Sequence, residues 1–238
     1  MSNKTIAIIG AMECEVELLH DLLKNSEKVQ DNKFEIFKGE VGEHTVIIAK
    51  SGVGKVASAC CTQFIADKFR PEYIINTGVA GGIGENLSVG DIVVAKKLVQ
   101  HDFDVTVLGY AKGYMCTGHD KDKPTAFYSD EKLVDEFVQI AKNIAGENKV
   151  HTGTIASGDM FVGTSEKKQE IKDLFGATAA EMEGCAIAQA ADINNIPFVI
   201  VRAVSDLADG TAAESLSDFE QKSAHISANI IKRMLEDL

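Results

Sequence analysis

The sequence predicts an α/β fold: a single three-layer αβα domain around a mixed, largely parallel central sheet. Three observations predict it. Short β-branched runs alternate with helical patterns over almost the whole chain, as expected of strands joined by crossover helices. Two adjacent strand-like runs turn around Gly42 and add an antiparallel hairpin. No linker-like stretch, repeat or low-complexity tract divides residues 1–238, so one domain with one sizeable core is expected.

The first strand is "TIAIIG", residues 5–10. A helix is expected from about residue 14 to 24, where Val16, Leu19 and Leu23 recur at helical spacing. "FEIFKGEV" and "HTVIIAK" are short, β-rich and bounded by polar turn residues, so they form the hairpin. Residues 54–69 are helical in pattern and stop before Pro71, which cannot continue a helix. Ala57, Cys60, Cys61 and Phe64 are expected on the packing face. The buried strand "YIINT" leads into the loop "GVAGGIGENLSVG", "DIVVAKKLVQ" is the next strand, and a polar loop covers residues 110–128. A helix near 130–144, the strand "HTGTIAS", a helix at about 166–174 and the strand containing "ATAAEM" follow. A helix of small residues and the buried strand "PFVIVRAV" come next. The last helix opens with a capping box, Ser217 to Glu220, and carries Phe219, Ile226, Ile230 and Met234 on one stripe.

A formal net charge of −12 with no local Lys/Arg cluster argues against nucleic acid as a partner. "TIAIIGAM" is too short to span a bilayer and lacks the features of a signal peptide, so no membrane association and a cytoplasmic location are expected. Cys14, Cys60, Cys61, Cys116 and Cys185 make an odd count without C-x-x-C spacing, which predicts reduced, mostly buried thiols. His101 and His119 each precede acidic residues but have no second histidine at ligand spacing. They are assigned to solvated loops, and neither metal nor cofactor is expected.

In sheets of this kind ligands bind outside the carboxyl ends of the strands. The segments there are "GAMECE", "SGVG", "TGVAGG", "SGDMFVG", "EMEG" and "SDLAD". "TGVAGGIG" lacks the order of a dinucleotide loop, and Ala49 and Val56 break a Walker A pattern. Glu15, in the first turn of a helix, could be explained by the helix dipole alone. Asp206 could be the cap of a turn, and Phe161 and Met182 could be core. Arg202 is different, because it interrupts an apolar strand and requires a buried carboxylate partner. Glu183 is the expected partner. In an extended segment Glu181 and Glu183 face the same way, so both could reach one ligand.

Together, "IIGAMECEV", "KSGVGKVAS", "INTGVAGG", "VGDIVV", "HDFDVT", "SGDMFV", "EMEGCAIA" and "VRAVSDLAD" resemble the 5′-methylthioadenosine/S-adenosylhomocysteine nucleosidases of the purine nucleoside phosphorylase-like superfamily. The likeness implies hydrolysis of the N-glycosidic bond of both nucleosides, and of 5′-deoxyadenosine, in methionine salvage. It implies Asp206 as the general acid at adenine N7 with Ser205 beside it, and Glu15 as the group that activates water. It further implies Glu183 on the ribose hydroxyls, Met182 on the sugar, and Arg202 holding the water and the acidic cluster. Phe161 would stack on adenine, Val162 would offer backbone hydrogen bonds, and Gly81 would permit close approach. A homodimer is implied as well.

Two alternatives stand beside this one: a phosphorylase of the same superfamily, which would need cations for phosphate, and a non-catalytic nucleoside-binding relative, which would not need both Asp206 and Glu15. The chain departs from the family pattern at Val79, where many members carry serine, and at Leu108, which replaces an aromatic contact. Leu216 and Phe219 are rivals for the aromatic lid, in a loop expected to order on ligand binding.

Overall fold

In the computed structural model, which describes residues 3–29, 33–116, 120–208 and 216–237, β1 (Thr5–Gly10) leads into α1 (Glu13–His20) and the edge strand β2 (Lys24–Lys28). The hairpin β3 (Glu35–Val41) and β4 (His44–Lys50) precedes α2 (Lys55–Phe69). Strands β5 (Tyr73–Asn76), β6 (Val79–Gly82), β7 (Ile92–Gln100) and β8 (Ala126–Tyr128) follow, then α3 (Glu131–Ala145) and β9 (Val150–Ser157). The chain ends with α4 (Ser165–Phe175), β10 (Ala177–Glu181), α5 (Gly184–Ile193), β11 (Phe198–Asp206) and α6 (Leu216–Asp237).

The strands join one sheet in the order β2-β3-β4-β1-β5-β11-β6-β10-β9-β7-β8. Its centre, β4-β1-β5-β11-β6, is parallel, and antiparallel pairs flank it. β11 does double duty. Phe198–Ile200 pair with β5, while Val201–Ala203 also pair antiparallel with β7. Because β7 runs on through β9, β10 and β6 back to β11, that half of the sheet curls shut. All nine residues of β11 are buried, so its polar members Arg202, Ser205 and Asp206 must find partners inside the protein.

Alternation along β1 shows the layers. Ile6 and Ile8 pack with Val16 and Leu19 of α1, Phe137 of α3 and Ile230 and Met234 of α6. Ala7 and Ile9 face the other way, toward Cys61 and Ile65 of α2 and Ile187 and Ala191 of α5. Both faces of the central strands are therefore covered, which is why they read as continuous apolar runs. α4 closes a smaller cluster with Ile171 and Phe175. Among the described residues no helix is long and apolar enough to cross a membrane.

Several expectations need correction. α1 stops at His20, because Leu22 and Leu23 form tight turns and Asn25 takes a positive φ of 51° that releases the chain into β2. Val79–Gly82 is a strand within the predicted glycine loop, and β8 lies in the predicted polar loop. The buried face of α2 is Ser58, Cys61, Thr62, Ile65 and Ala66, with Cys60 exposed. Only Cys61 and Cys185 are buried thiols, while Cys60 and Cys116 are exposed. His101 is wholly buried, since β7 carries it under Gly158; His119 lies outside the described residues. α6 already begins at Leu216, so Ser217 is not outside the helix as a cap would be, and the side chains of Ser217, Phe219 and Glu220 lie outside the described residues.

Phe137 is fully buried between α3 and the sheet. Phe137→Ala should therefore cost about 3–5 kcal/mol, read as a lower midpoint at unchanged slope in urea denaturation.

Candidate active site

A cavity of about 250 Å³ opens at the carboxyl ends of β1, β10 and β11. Eight of the nine residues expected at the site line it: Glu15, Gly81, Phe161, Val162, Met182, Glu183, Ser205 and Asp206. Arg202 lies behind the wall, 1% exposed.

Glu15 sits in the first turn of α1, and its carboxylate turns back on the strand-to-helix loop. Its Oε2 accepts hydrogen bonds from the Ala11 and Met12 amides at 2.6 and 2.9 Å, and Oε1 accepts one from the Val79 amide at 3.1 Å. Orphan N–H groups at a helix start favour such a carboxylate, so the dipole explains part of its placement. Burial nevertheless raises its pKa, against the opposing pull of Arg202 and the three amides. Gly78 is required beside it, because a Cβ there would stand 2.6 Å from Glu15 Oε1.

The buried partner of Arg202 is Glu181, not Glu183. Arg202 Nη2 donates to Glu181 and, at 2.6 Å, to Asn76 Oδ1, while Glu183 stands 4.0 Å away. Glu181 also accepts the Ser157 hydroxyl and the Glu183 and Gly184 amides at 3.1 and 2.7 Å. These bonds satisfy a carboxylate whose side chain is 2% exposed. Glu183 escapes that cluster because β10 ends at Glu181, and the turn that follows swings it toward α2. Its Oε1 accepts the Gly54 amide at 2.8 Å. Burial, then the neighbouring Glu181 charge, push Glu183 up to about 7, although Arg202 and the Gly54 amide resist.

Asp206 ends β11. Its Oδ2 accepts the Ser205 hydroxyl at 2.9 Å and its Oδ1 the Ala208 amide at 2.8 Å, so it does cap a turn while still facing the cavity. Gly81 lies across from it, and a Cβ at Gly81 would meet Asp206 Oδ1 at 3.2 Å. Val162 is buried, whereas Phe161 is 57% exposed at the rim and is not core. Val79 contributes its backbone amide to Glu15 despite lacking a hydroxyl. Leu108 is exposed and does not line the cavity. The side chains of Leu216 and Phe219 lie outside the described residues.

Sequence reasoning missed Asn76 and Ser157, which anchor Arg202 and Glu181 from β5 and β9. It also missed Gly54 and Gly78. A buried polar residue at a strand end, as in "YIINT" and "HTGTIAS", was the available signal.

The profile of the phosphorylase superfamily matches residues 5–236. The 5′-methylthioadenosine/S-adenosylhomocysteine nucleosidase of Actinobacillus succinogenes is 40% identical over 98% of this chain and 99% of its own, and that of Staphylococcus aureus is 39% identical over 98% and 100%. Among solved structures, the nucleosidase of Neisseria meningitidis in complex with methylthio-immucillin-A superposes with a TM-score of 0.90 at 40% identity, covering 99% of this chain and 100% of that one. The S-adenosylhomocysteine nucleosidase of Streptococcus pyogenes in complex with 5-methylthiotubericidin gives 0.92 at 39%, covering 100% and 98%. The chain belongs to the 5′-methylthioadenosine/S-adenosylhomocysteine nucleosidase family of the phosphorylase superfamily.

Proposed function

We propose that this protein, as one domain over residues 1–238, hydrolyses the N-glycosidic bond of 5′-methylthioadenosine and S-adenosylhomocysteine to adenine and the corresponding ribose derivative. Four buried carboxylates, Glu15, Glu181, Glu183 and Asp206, line one cavity; Glu181 is spent on Arg202, and the observation that carries this reading is the other three, which reach the cavity from three different elements. Adenine leaves poorly as an anion, so a donor must neutralise it. Asp206, whose second oxygen is steadied by the Ser205 hydroxyl, is the donor to N7 in this reading. Departure leaves an oxocarbenium-like sugar, which nearby carboxylates stabilise. Glu183 takes the ribose hydroxyls, Met182 packs on the sugar, and Glu15 orients a water and accepts its proton. Arg202, behind the wall, acts on that water through its charge on Glu15. Phe161 and Val162 receive the purine, and Gly81 lets it approach β6.

Water is favoured over phosphate as the nucleophile. No lysine or arginine lines the cavity among the described residues, and Arg202 is committed to Glu181 and Asn76. An incoming phosphate would meet Glu15 and Glu183 instead. A binding-only relative would have no use for both Glu15 and Asp206.

We also propose a homodimer. Val53 and Phe161 at the cavity, and Val56 on α2, are 54%, 57% and 76% exposed, an apolar surface suited to a second copy. We place the enzyme in the cytoplasm, in keeping with five free cysteines.

Adenine release from 5′-methylthioadenosine should proceed in phosphate-free buffer, and Asp206→Asn should lower kcat by about 100-fold or more. A requirement for phosphate would move the protein to the phosphorylases, and an active Asn variant would remove the acid assignment. Light scattering should return twice the 25.6 kDa chain mass.

Glu183 is ionised when it accepts ribose hydroxyls, so kcat/KM should fall as pH drops through about 7. Glu181 and Glu15 push that limb up, while Arg202 and the Gly54 amide pull it down. Stability runs the opposite way. The folded protein binds the Glu183 proton more tightly than the unfolded chain does, so this contribution is present below pH 4.5 and lost as pH rises through about 7. Thermal melts of wild type and Glu183→Gln should diverge over that window, with the variant losing less stability.

A further inference from the structure

Three of the sequence motifs, "KSGVGKVAS", "HDFDVT" and "SGDMFV", each carry a charged residue that the chemistry above leaves unused: Lys55, Asp102 and Asp159. The fold brings them together beside the cavity. Lys55 Nζ donates to Asp102 Oδ1 at 2.6 Å and to Gln100 Oε1 at 3.0 Å. The Asp159 amide donates to the other Asp102 oxygen at 2.8 Å, and the Lys55 amide donates to Asp159 Oδ1 at 2.8 Å. Gln100 in turn donates to Gln189 of α5 at 3.1 Å. The set closes a ring that ties the start of α2 to the ends of β7 and β9.

We infer that Lys55, Asp102 and Asp159 form a positioning clamp that holds the Gly54 amide on Glu183. Gly54 immediately precedes Lys55 and has a φ of 97°, open only to glycine without strain, which aims its N–H at Glu183 Oε1, 2.8 Å away. A Cβ at Gly54 would stand 3.1 Å from Asp159 Oδ1, so the clamp fits the turn closely. The first free N–H groups of α2 are thereby shared between two carboxylates, Glu183 from the Gly54 amide and Asp159 from the Lys55 amide. Burial opposes the Asp102 charge, but the Lys55 ammonium and the Asp159 amide outweigh it and keep the carboxyl below the usual aspartate range. None of the three residues lines the cavity. They act through Glu183.

This inference rests on Glu183 binding the ribose, so the test separates the two. Asp102→Asn and Glu183→Gln are compared singly and together, with 5′-methylthioadenosine as substrate and free adenine, which has no ribose, as a binding probe. D102N should lower kcat/KM about tenfold in the wild-type background and by roughly threefold or less in E183Q. Its affinity for adenine should stay within about twofold of wild type, a split that general loosening of the site would not produce. Equal losses in both backgrounds, no loss at all, or adenine affinity falling in parallel would overturn the clamp while leaving the Glu183 assignment intact. An unimpaired E183Q would overturn both. Should D102N fail to fold, Lys55→Met is read by the same criteria.

Discussion

A guanidinium sealed from water governs this structure. Arg202 sits on a strand buried along its whole length, and leaving such a charge unpaired costs several kcal/mol. The requirement is met from three directions: Glu181 at the end of β10, Asn76 at the end of β5, and the carbonyl of Val201 on its own strand. Meeting it draws the ends of β5 and β10 toward β11, and β10 and β11 carry part of the site at their carboxyl ends. Glu181 is the busiest member, with its remaining capacity taken by Ser157 and by the turn that aims Glu183.

The same buried charge divides labour among the acids. Glu181 neutralises Arg202 directly, whereas Glu15 and Glu183 feel it only at longer range. Burial therefore wins for both, and their pKa values are raised. Burial disfavours the charge on both, which makes them responsive to a developing cation on the sugar. Glycines at positions 54, 78 and 81 allow the approach, since a side chain at any of them would press on an acidic oxygen.

Local pattern made most of the scaffold legible. β1 and most of β7 and β11 are apolar runs buried on both faces, and α3 carries a clear buried stripe through Leu133, Val134, Phe137 and Ala141. The strands that escaped had no such signal. β2 is "KNSEK", exposed along its length, and β6 is "VAGG", two glycines in a stretch that resembles a loop. Both exist because a neighbour's edge hydrogen-bonds them, which is information held by the partner strand. The packing face of α2 was only partly legible: Cys61 is buried as expected, but Cys60 is exposed and Ala57 and Phe64 are half-buried, because small residues surround the helix and leave the sequence without a dominant stripe.

By itself the sequence determined the α/β class, the order of the strongly patterned elements and the set of chemical groups placed after the strands, because these follow from periodicity and from motifs read along the chain. Tertiary structure alone decided that Arg202 pairs with Glu181, that Glu183 is thereby freed to face the cavity and lean on Gly54, and that Lys55, Asp102 and Asp159 meet. The physical reason is that charge pairing in a dry interior depends on distances between strands. Residues two apart share a side of an extended strand, but β10 ends at Glu181, and the turn beyond it gives Glu181 and Glu183 different partners.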